Sequence, residues 1–294
     1  MLGLLLLDKP QDITSFGAVA RIKKLAGEKR VGHTGTLDPM ATGVLPVLIG
    51  RATVLSQHLI DADKSYSATI KLGITTDSGD ITGNVISQAD VNCTSADIDG
   101  VLKKFLGKQM QTPPMFSAIK QNGVRMYELA RRGEIVDIPA REIEVFSLEK
   151  KSCLNEQNEF VIDCTVSKGT YIRSLCRDIG EALGCGATLT TLRRTKTAGF
   201  DISQCVSLDK LTPENISDYI LPCDKVVCYL PQISVSEKQA IRFTNGGQLS
   251  LDRIKYLDFI DHGIYRVYFG QKFLGLGRAD TNDNLLKIEC LVDG

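Results

Sequence analysis

The sequence predicts an α+β protein: a mixed, largely antiparallel sheet with helices packed against it, then a small β-rich C-terminal domain. Three observations carry this. Residues 66–72 alternate strictly, with Tyr66, Ala68, Ile70 and Leu72 on one face and Ser67, Thr69 and Lys71 on the other, the period of a half-buried strand. Phe160, Ile162, Cys164 and Val166 repeat that period, and Ile172, Leu175, Cys176, Ile179 and Leu183 then mark one stripe of a helix over 171–183. After Pro213 the texture changes: a short helix at 236–243 precedes strand candidates at 264–269, 273–278 and 285–291. A boundary near 222–230 divides the chain into domains at 1–228 and 229–294.

The remaining elements follow in order. Leu4 to Leu7 reads as a buried strand closed by Pro10, which lacks a ladder donor. Thr14 or Ser15 caps a helix with apolar positions Phe16, Val19, Ala20 and Ile22, ending before Gly27. Residues 32–46 hold Gly32, Gly35, Pro39, Gly43 and Pro46, too many breakers for a regular element, so they read as a constrained loop. A short strand at 47–49 and a helix over 52–60 come next. Residues 73–95 read as a polar loop with at most one short strand, and 98–106 as a helix stopped by Gly107. Residues 109–142 combine Pro113, Pro114, Gly123 and Gly133 with Lys120, Arg125, Arg131, Arg132 and Arg141, the texture of a mobile basic insertion rather than core.

Composition narrows the function classes. Apolar residues make up 43% and charged residues 24% of 294, so the chain can bury a core without staples. Its nine cysteines form no Cys-x-x-Cys pair and its three histidines are scattered, which speaks against structural zinc and for thiols in a reducing compartment. The run at 4–7 is too short for a signal peptide or a membrane span, and no other stretch approaches ~20 apolar residues. A cytoplasmic location is expected. Formal net charge is zero, which argues against indiscriminate polyanion binding. Yet Arg21, Lys23, Lys24, Lys29 and Arg30 cluster around Glu28 alone, and Lys168, Arg173, Arg177, Arg193, Arg194 and Lys196 outnumber Asp178 and Glu181. Two basic blocks on a neutral chain suit either a defined phosphate track or solvated helix faces.

The loop Gly32-His33-Thr34-Gly35-Thr36-Leu37-Asp38-Pro39 carries the most chemistry. Its glycines allow tight turns, and Pro39 steers Asp38 away from helical angles. A carboxylate on a stiff loop beside an imidazole is a candidate nucleophile or base; an Asp capping the following turn is the plain alternative. This motif, continued by Ala41-Thr42-Gly43-Val44-Leu45-Pro46, resembles the catalytic motif of TruB-type tRNA pseudouridine synthases of the bacterial kind. Leu7-Asp8-Lys9-Pro10, Asp63-Lys64-Ser65-Tyr66 with Leu72-Gly73 and Thr76-Asp77, Lys168-Gly169-Thr170-Tyr171-Ile172-Arg173-Ser174-Leu175 and Leu192-Arg193-Arg194 resemble further motifs of that family, in order over most of residues 1–200.

The resemblance implies a pseudouridine synthase catalytic domain and a cofactor-free isomerase acting on uridine 55 of the tRNA T-loop. It implies Asp38 as nucleophile, with attack at C6 of the base and at C1′ of the sugar both open. Arg173 would pair with Asp38, keeping a buried carboxylate ionised and oriented. Tyr66 would stack on the flipped uracil, with Tyr171 and Leu192 lining the pocket; core packing alone also explains all three. His33 would position the extruded nucleotide, and Lys9 would support the catalytic loop. The 109–142 insertion resembles the bacterial segment that clamps the T-arm, and 229–294 a reduced PUA domain, through Asn245-Gly246-Gly247 and Leu274-Gly275-Leu276-Gly277. tRNA is then the partner, with no protein partner, membrane or metal required and a monomer expected. Competing readings are a tRNA folding chaperone with little catalysis, and a guide-RNA-dependent relative of archaea and eukaryotes.

Overall fold

A computed structural model describes residues 1–60, 62–116, 120–121, 124–126, 138–256 and 258–292. One mixed sheet runs in the order 206–207, Gly3–Lys9, Thr42–Ile49, Ala187–Thr197, Lys64–Leu72, Glu159–Val166, Arg141–Lys150, Gly107–Gln111. Two neighbouring pairs are parallel, the 206–207 strand with the first strand and Thr42–Ile49 with Ala187–Thr197; the rest are antiparallel. A second sheet, formed by strands within 232–291, packs around its own core of Phe243, Tyr265, Val267 and Leu286. The alternating pattern of the first strand explains how the parts join. Leu5 and Leu7 enter the large core, whereas Leu4 and Leu6 face a second one shared with Val226, Val227, Leu276 and Val292. Among the described residues no helix is long and apolar enough to cross a membrane.

Several expectations are corrected. Of the expected apolar positions on the helix Ser15–Ala26, Val19 and Ile22 are buried, with Ser15, Ala18 and Ala26 beside them, whereas Phe16, 76% exposed, and Ala20 face solvent. The helix is rotated because Ser15 is bonded to Leu37. Residues 42–46 are strand, not loop. Pro46 needs no donor there, and its carbonyl accepts from the Thr34 N–H at 3.1 Å. Gly43, at φ 107°, lets the Arg194 backbone approach: a Cβ would meet the Arg194 carbonyl oxygen at 2.2 Å. Gly43→Ala is therefore expected to cost more than about 3 kcal/mol in urea unfolding, from overpacking plus a strained φ. A loss under about 1 kcal/mol would contradict this packing. The polar stretch 73–95 holds two paired strands, Ile74–Thr76 and Val85–Gln88, rather than at most one. Their connection is tied by side chains in place of apolar alternation, Asp77 accepting from the Asn84 backbone and amide at 2.9 and 3.0 Å. The 52–60 segment is a 3₁₀ turn at Gly50–Leu55 followed by a short helix at Gln57–Ile60. Arg131, Arg132 and the side chains of Lys120 and Arg125 lie outside the described residues.

Candidate active site

The catalytic-motif loop is pinned from below before any substrate arrives. Ser15 Oγ accepts from the Leu37 N–H at 2.8 Å and donates to its carbonyl at 3.0 Å. The Pro39 carbonyl accepts from the Asp12 N–H at 2.9 Å and from Lys9 Nζ at 3.3 Å. Lys9, fully buried, also donates to the carbonyls of Pro10 and Ile13 at 2.8 and 2.7 Å. Burial pulls its ammonium down to about 8, with Asp38 opposing the fall. From the sheet side, buried Arg194 donates to the Gly35 and Val44 carbonyls at 2.9 and 2.8 Å. Lys9 is thus a support beneath the loop.

Arg173 arrives from the opposite wall. It sits in the first turn of the Ile172–Ala182 helix, whose apolar stripe packs on the sheet. Tyr171 precedes that helix without a side-chain cap of its own; buried Gln111 takes over, accepting from the Tyr171 N–H at 2.8 Å and donating to its carbonyl at 3.1 Å. The Arg173 side chain is 4% exposed, and its Nε lies 2.8 Å from Asp38 Oδ2. Its Nη1 donates to the Ser78 carbonyl at 2.9 Å and Nη2 to the Phe116 carbonyl at 2.8 Å. A second carboxylate, Asp80 Oδ2, lies 3.8 Å from Nη1. Every nitrogen of the fork is engaged, so its orientation is fixed.

Asp38 opens onto a cleft of about 290 Å³ that Tyr66, Tyr171, Leu192 and Arg141 also line. Its side chain keeps 34% exposure, all that is left once protein encloses the other sides. Burial raises its carboxyl above the usual 3.8, and Arg173 opposes the rise without cancelling it. A reaction that needs the ionised form should lose kcat/KM as pH falls through a pKa above that ordinary value. Rates between about pH 4 and pH 8 test this; an acid limb at or below 3.8 contradicts it.

The phenol of Tyr66, 7% exposed, is also raised by burial, so its proton stays on at neutral pH, with Arg194 beside it opposing the rise. The cleft brings together Asp38, Arg173, Tyr66, Tyr171 and Leu192. His33 lies outside its lining, on the short strand Val31–His33. Burial, reinforced by Arg194, lowers the His33 pKa, so the ring is neutral, and its Nδ1 is enclosed without a hydrogen-bond partner among the described residues. Sequence reading missed Asp80, Gln111 and the structural part of Arg194. Only Arg194 left a signal, as a member of a quoted motif. Among the described residues no cluster of three or more His, Cys, Asp or Glu could hold a metal ion.

Residues 23–172 match the family model described as TruB family pseudouridylate synthase (N terminal domain), half of the chain. The chain belongs to the TruB family of pseudouridylate synthases. Residues 173–227 match the model described as tRNA pseudouridylate synthase B C-terminal domain, so the two TruB models meet between Ile172 and Arg173, inside one helix. Similar TruB relatives include the tRNA pseudouridine synthase B of Clostridium kluyveri, 40% identical over 94% of both chains. That of Burkholderia mallei is 41% identical over 99% of this chain and 96% of its own. Among solved structures, a chain of a Cbf5-Nop10-Gar1 complex superposes with a TM-score of 0.74 at 28% identity, over 99% of this chain and 85% of that one. A chain of an H/ACA RNP bound to a substrate RNA containing 2′-deoxyuridine gives 0.73 at 25%, over 100% and 86%.

Proposed function

We propose that this TruB-family chain converts uridine 55 of the tRNA T-loop to pseudouridine, with Asp38 as nucleophile and no cofactor. The carrying observation is the 2.8 Å contact of Asp38 and Arg173 at the floor of a cleft walled by two tyrosines and a leucine. The reaction breaks N1–C1′, turns the base within the cleft and joins C5 to C1′, releasing the C5 hydrogen. A transient bond to the Asp38 carboxylate frees the base and is broken again before release, the C5 hydrogen leaving as a proton and N1 gaining one, while the walls hold the base as it turns. Tyr66 and Tyr171 are the stacking surfaces, Leu192 an apolar wall, and Arg173 the group that aims the carboxylate. His33, neutral and at the end of the short strand that leads into the motif loop, contacts the extruded nucleotide through its ribose or phosphate rather than as an acid or base. The base must first leave the RNA stack, at a cost of a few kcal/mol, offset by stacking and phosphate contacts.

The curated relatives, at 40–41% identity, are named for tRNA, whereas the chains from a Cbf5-Nop10-Gar1 complex and from an H/ACA RNP align at 28% and 25%. That difference favours a stand-alone enzyme over a guide-dependent one; a cytoplasmic location and a monomeric state are further parts of the proposal. The 1–228 segment would carry catalysis. The insertion around 109–142 would clamp the T-arm, and 229–294 would serve as a PUA-like RNA-binding domain. The test uses an unmodified T-arm stem-loop carrying 5-tritiated uridine, with no guide RNA or second protein. Tritium release at position 55 alone is expected. No release unless a guide is added would sink the stand-alone reading, and tight binding without release would favour a tRNA folding chaperone.

A further inference from the structure

Among the described residues, Lys64, Arg141, Arg173 and Arg194 line the cleft beside the carboxylate of Asp38. Lys64 donates to the Ile60 and Ala62 carbonyls. Arg173 is matched by Asp38 and two carbonyls, and Arg194 by the carbonyls of Gly35 and Val44. Arg141 differs. It opens the Arg141–Lys150 strand, its backbone in register with Gln111, so its Cα is fixed by the sheet. Its Cζ lies 4.8 Å from the centroid of the Tyr171 ring. Nη2 donates to the Gly169 carbonyl, and a Cβ built on Gly169, at φ 80°, would stand 3.4 Å from the Arg141 Cζ. Its Nε is closed off from solvent with no hydrogen-bond partner, and no carboxylate pairs with it among the described residues.

A half-buried guanidinium with a shielded, idle Nε and no paired carboxylate among the described residues does little for folding. It is well placed for a ligand that supplies the missing oxygens. A nucleotide swung out of an RNA stack brings its flanking phosphates to the rim of the pocket that takes its base. A phosphate is excluded from the floor by the like charge of Asp38, which leaves the rim. The planar fork of arginine matches two non-bridging phosphate oxygens.

We propose that Arg141 grips a phosphate flanking the target nucleotide, leaving the Tyr171 face as it does so and exposing that ring to the incoming base. Before binding, the ring and the Gly169 carbonyl hold the guanidinium in place; on binding, the idle Nε takes one phosphate oxygen and Nη2 exchanges the Gly169 carbonyl for another. This rests on the function proposed above and adds a substrate-binding residue to it.

The test is a double cycle on the T-arm stem-loop. One linkage, 5′ or 3′ of the target uridine, carries a neutral methylphosphonate. On the wild-type protein one of the two substitutions is expected to lower kcat/KM about 10- to 100-fold, mostly through KM. Arg141→Met keeps an apolar stem on Tyr171 and should lose a similar factor on native RNA, but at most about twofold more on the modified RNA. Its log–log salt slope for binding should also shrink by about 0.7–0.9. Arg141→Lys, with charge but no fork, should recover part of the KM loss, and it replaces the Met variant in the cycle if that one does not fold. Penalties that simply multiply at both linkages would overturn the proposal. If the wild-type protein releases no tritium from native stem-loop, the assigned activity fails instead.

Discussion

Asp38→Asn is expected to bind unmodified tRNA as tightly as the wild-type protein and to form pseudouridine at least about 10⁴-fold more slowly, the scale of removing a nucleophile. The amide keeps the shape of the side chain and can still accept from Arg173, so the loop held by Ser15, Lys9 and Arg194 should not move. What disappears is the charge that forms the bond. Stability offers an independent check with a definite sign. Because the folded pKa of Asp38 is raised above 3.8, its protonated form is favoured by folding. The benefit is present at low pH and is lost as pH rises through the folded value. The asparagine variant, neutral throughout, should therefore gain Tm relative to the wild-type protein as pH rises over that window. A relative loss would reverse the sign of the burial effect.

Arg173→Met is expected to lose both stability and activity. The guanidinium lies between two carboxylates, Asp38 at 2.8 Å and Asp80 at 3.8 Å, with its side chain 4% exposed. Its removal leaves both acids without their counter-charge and strands the carbonyls of Ser78 and Phe116. Breaking a buried pair from one side costs about 3–5 kcal/mol, read from urea unfolding. Arg173 holds the Asp38 pKa down, so its loss should move the acid limb of the rate profile upward. A drop in rate of about 10²-fold or more at neutral pH follows from misplacing the reacting group. Arg173→Lys should retain charge and some stability while still losing activity, because one ammonium cannot engage Asp38, Ser78 and Phe116 together. Near wild-type rates in either variant would mean that Asp38 is aimed by the loop alone.

Much of this site is legible in the sequence because its geometry is local. Gly35, Asp38 and Pro39 share one short loop, and Arg173 follows a predicted strand and opens a predicted helix, so both reach the same end of the sheet's strands. The helices were readable wherever capping residues and apolar stripes agreed, as at Thr14 and Gly27. The Ala187–Thr197 strand was not, although it lies at the centre of the sheet. Register shifts after Leu189 and Arg194 break its alternation, and buried Thr188, Arg194 and Thr197 replace the apolar residues that normally reveal a strand. Asp80 and Gln111 were invisible for a related reason. Each does its work through one side chain reaching a distant backbone or guanidinium, and long-range polar contacts leave no period in the sequence. Phe16 shows the opposite error. An apolar residue at the right spacing was assigned to the core, whereas the Ser15–Leu37 hydrogen bonds turn that face to solvent.

The decisive measurement is a single-turnover time course with enzyme in excess over 5-tritiated T-arm RNA, all of it bound, so that neither association nor product release contributes. Wild-type protein should release the label in one exponential phase, and Asp38→Asn should release about one per cent or less over a time about 100-fold longer. Release by the asparagine variant within about tenfold of the wild-type rate would show that residue 38 makes no bond to the substrate.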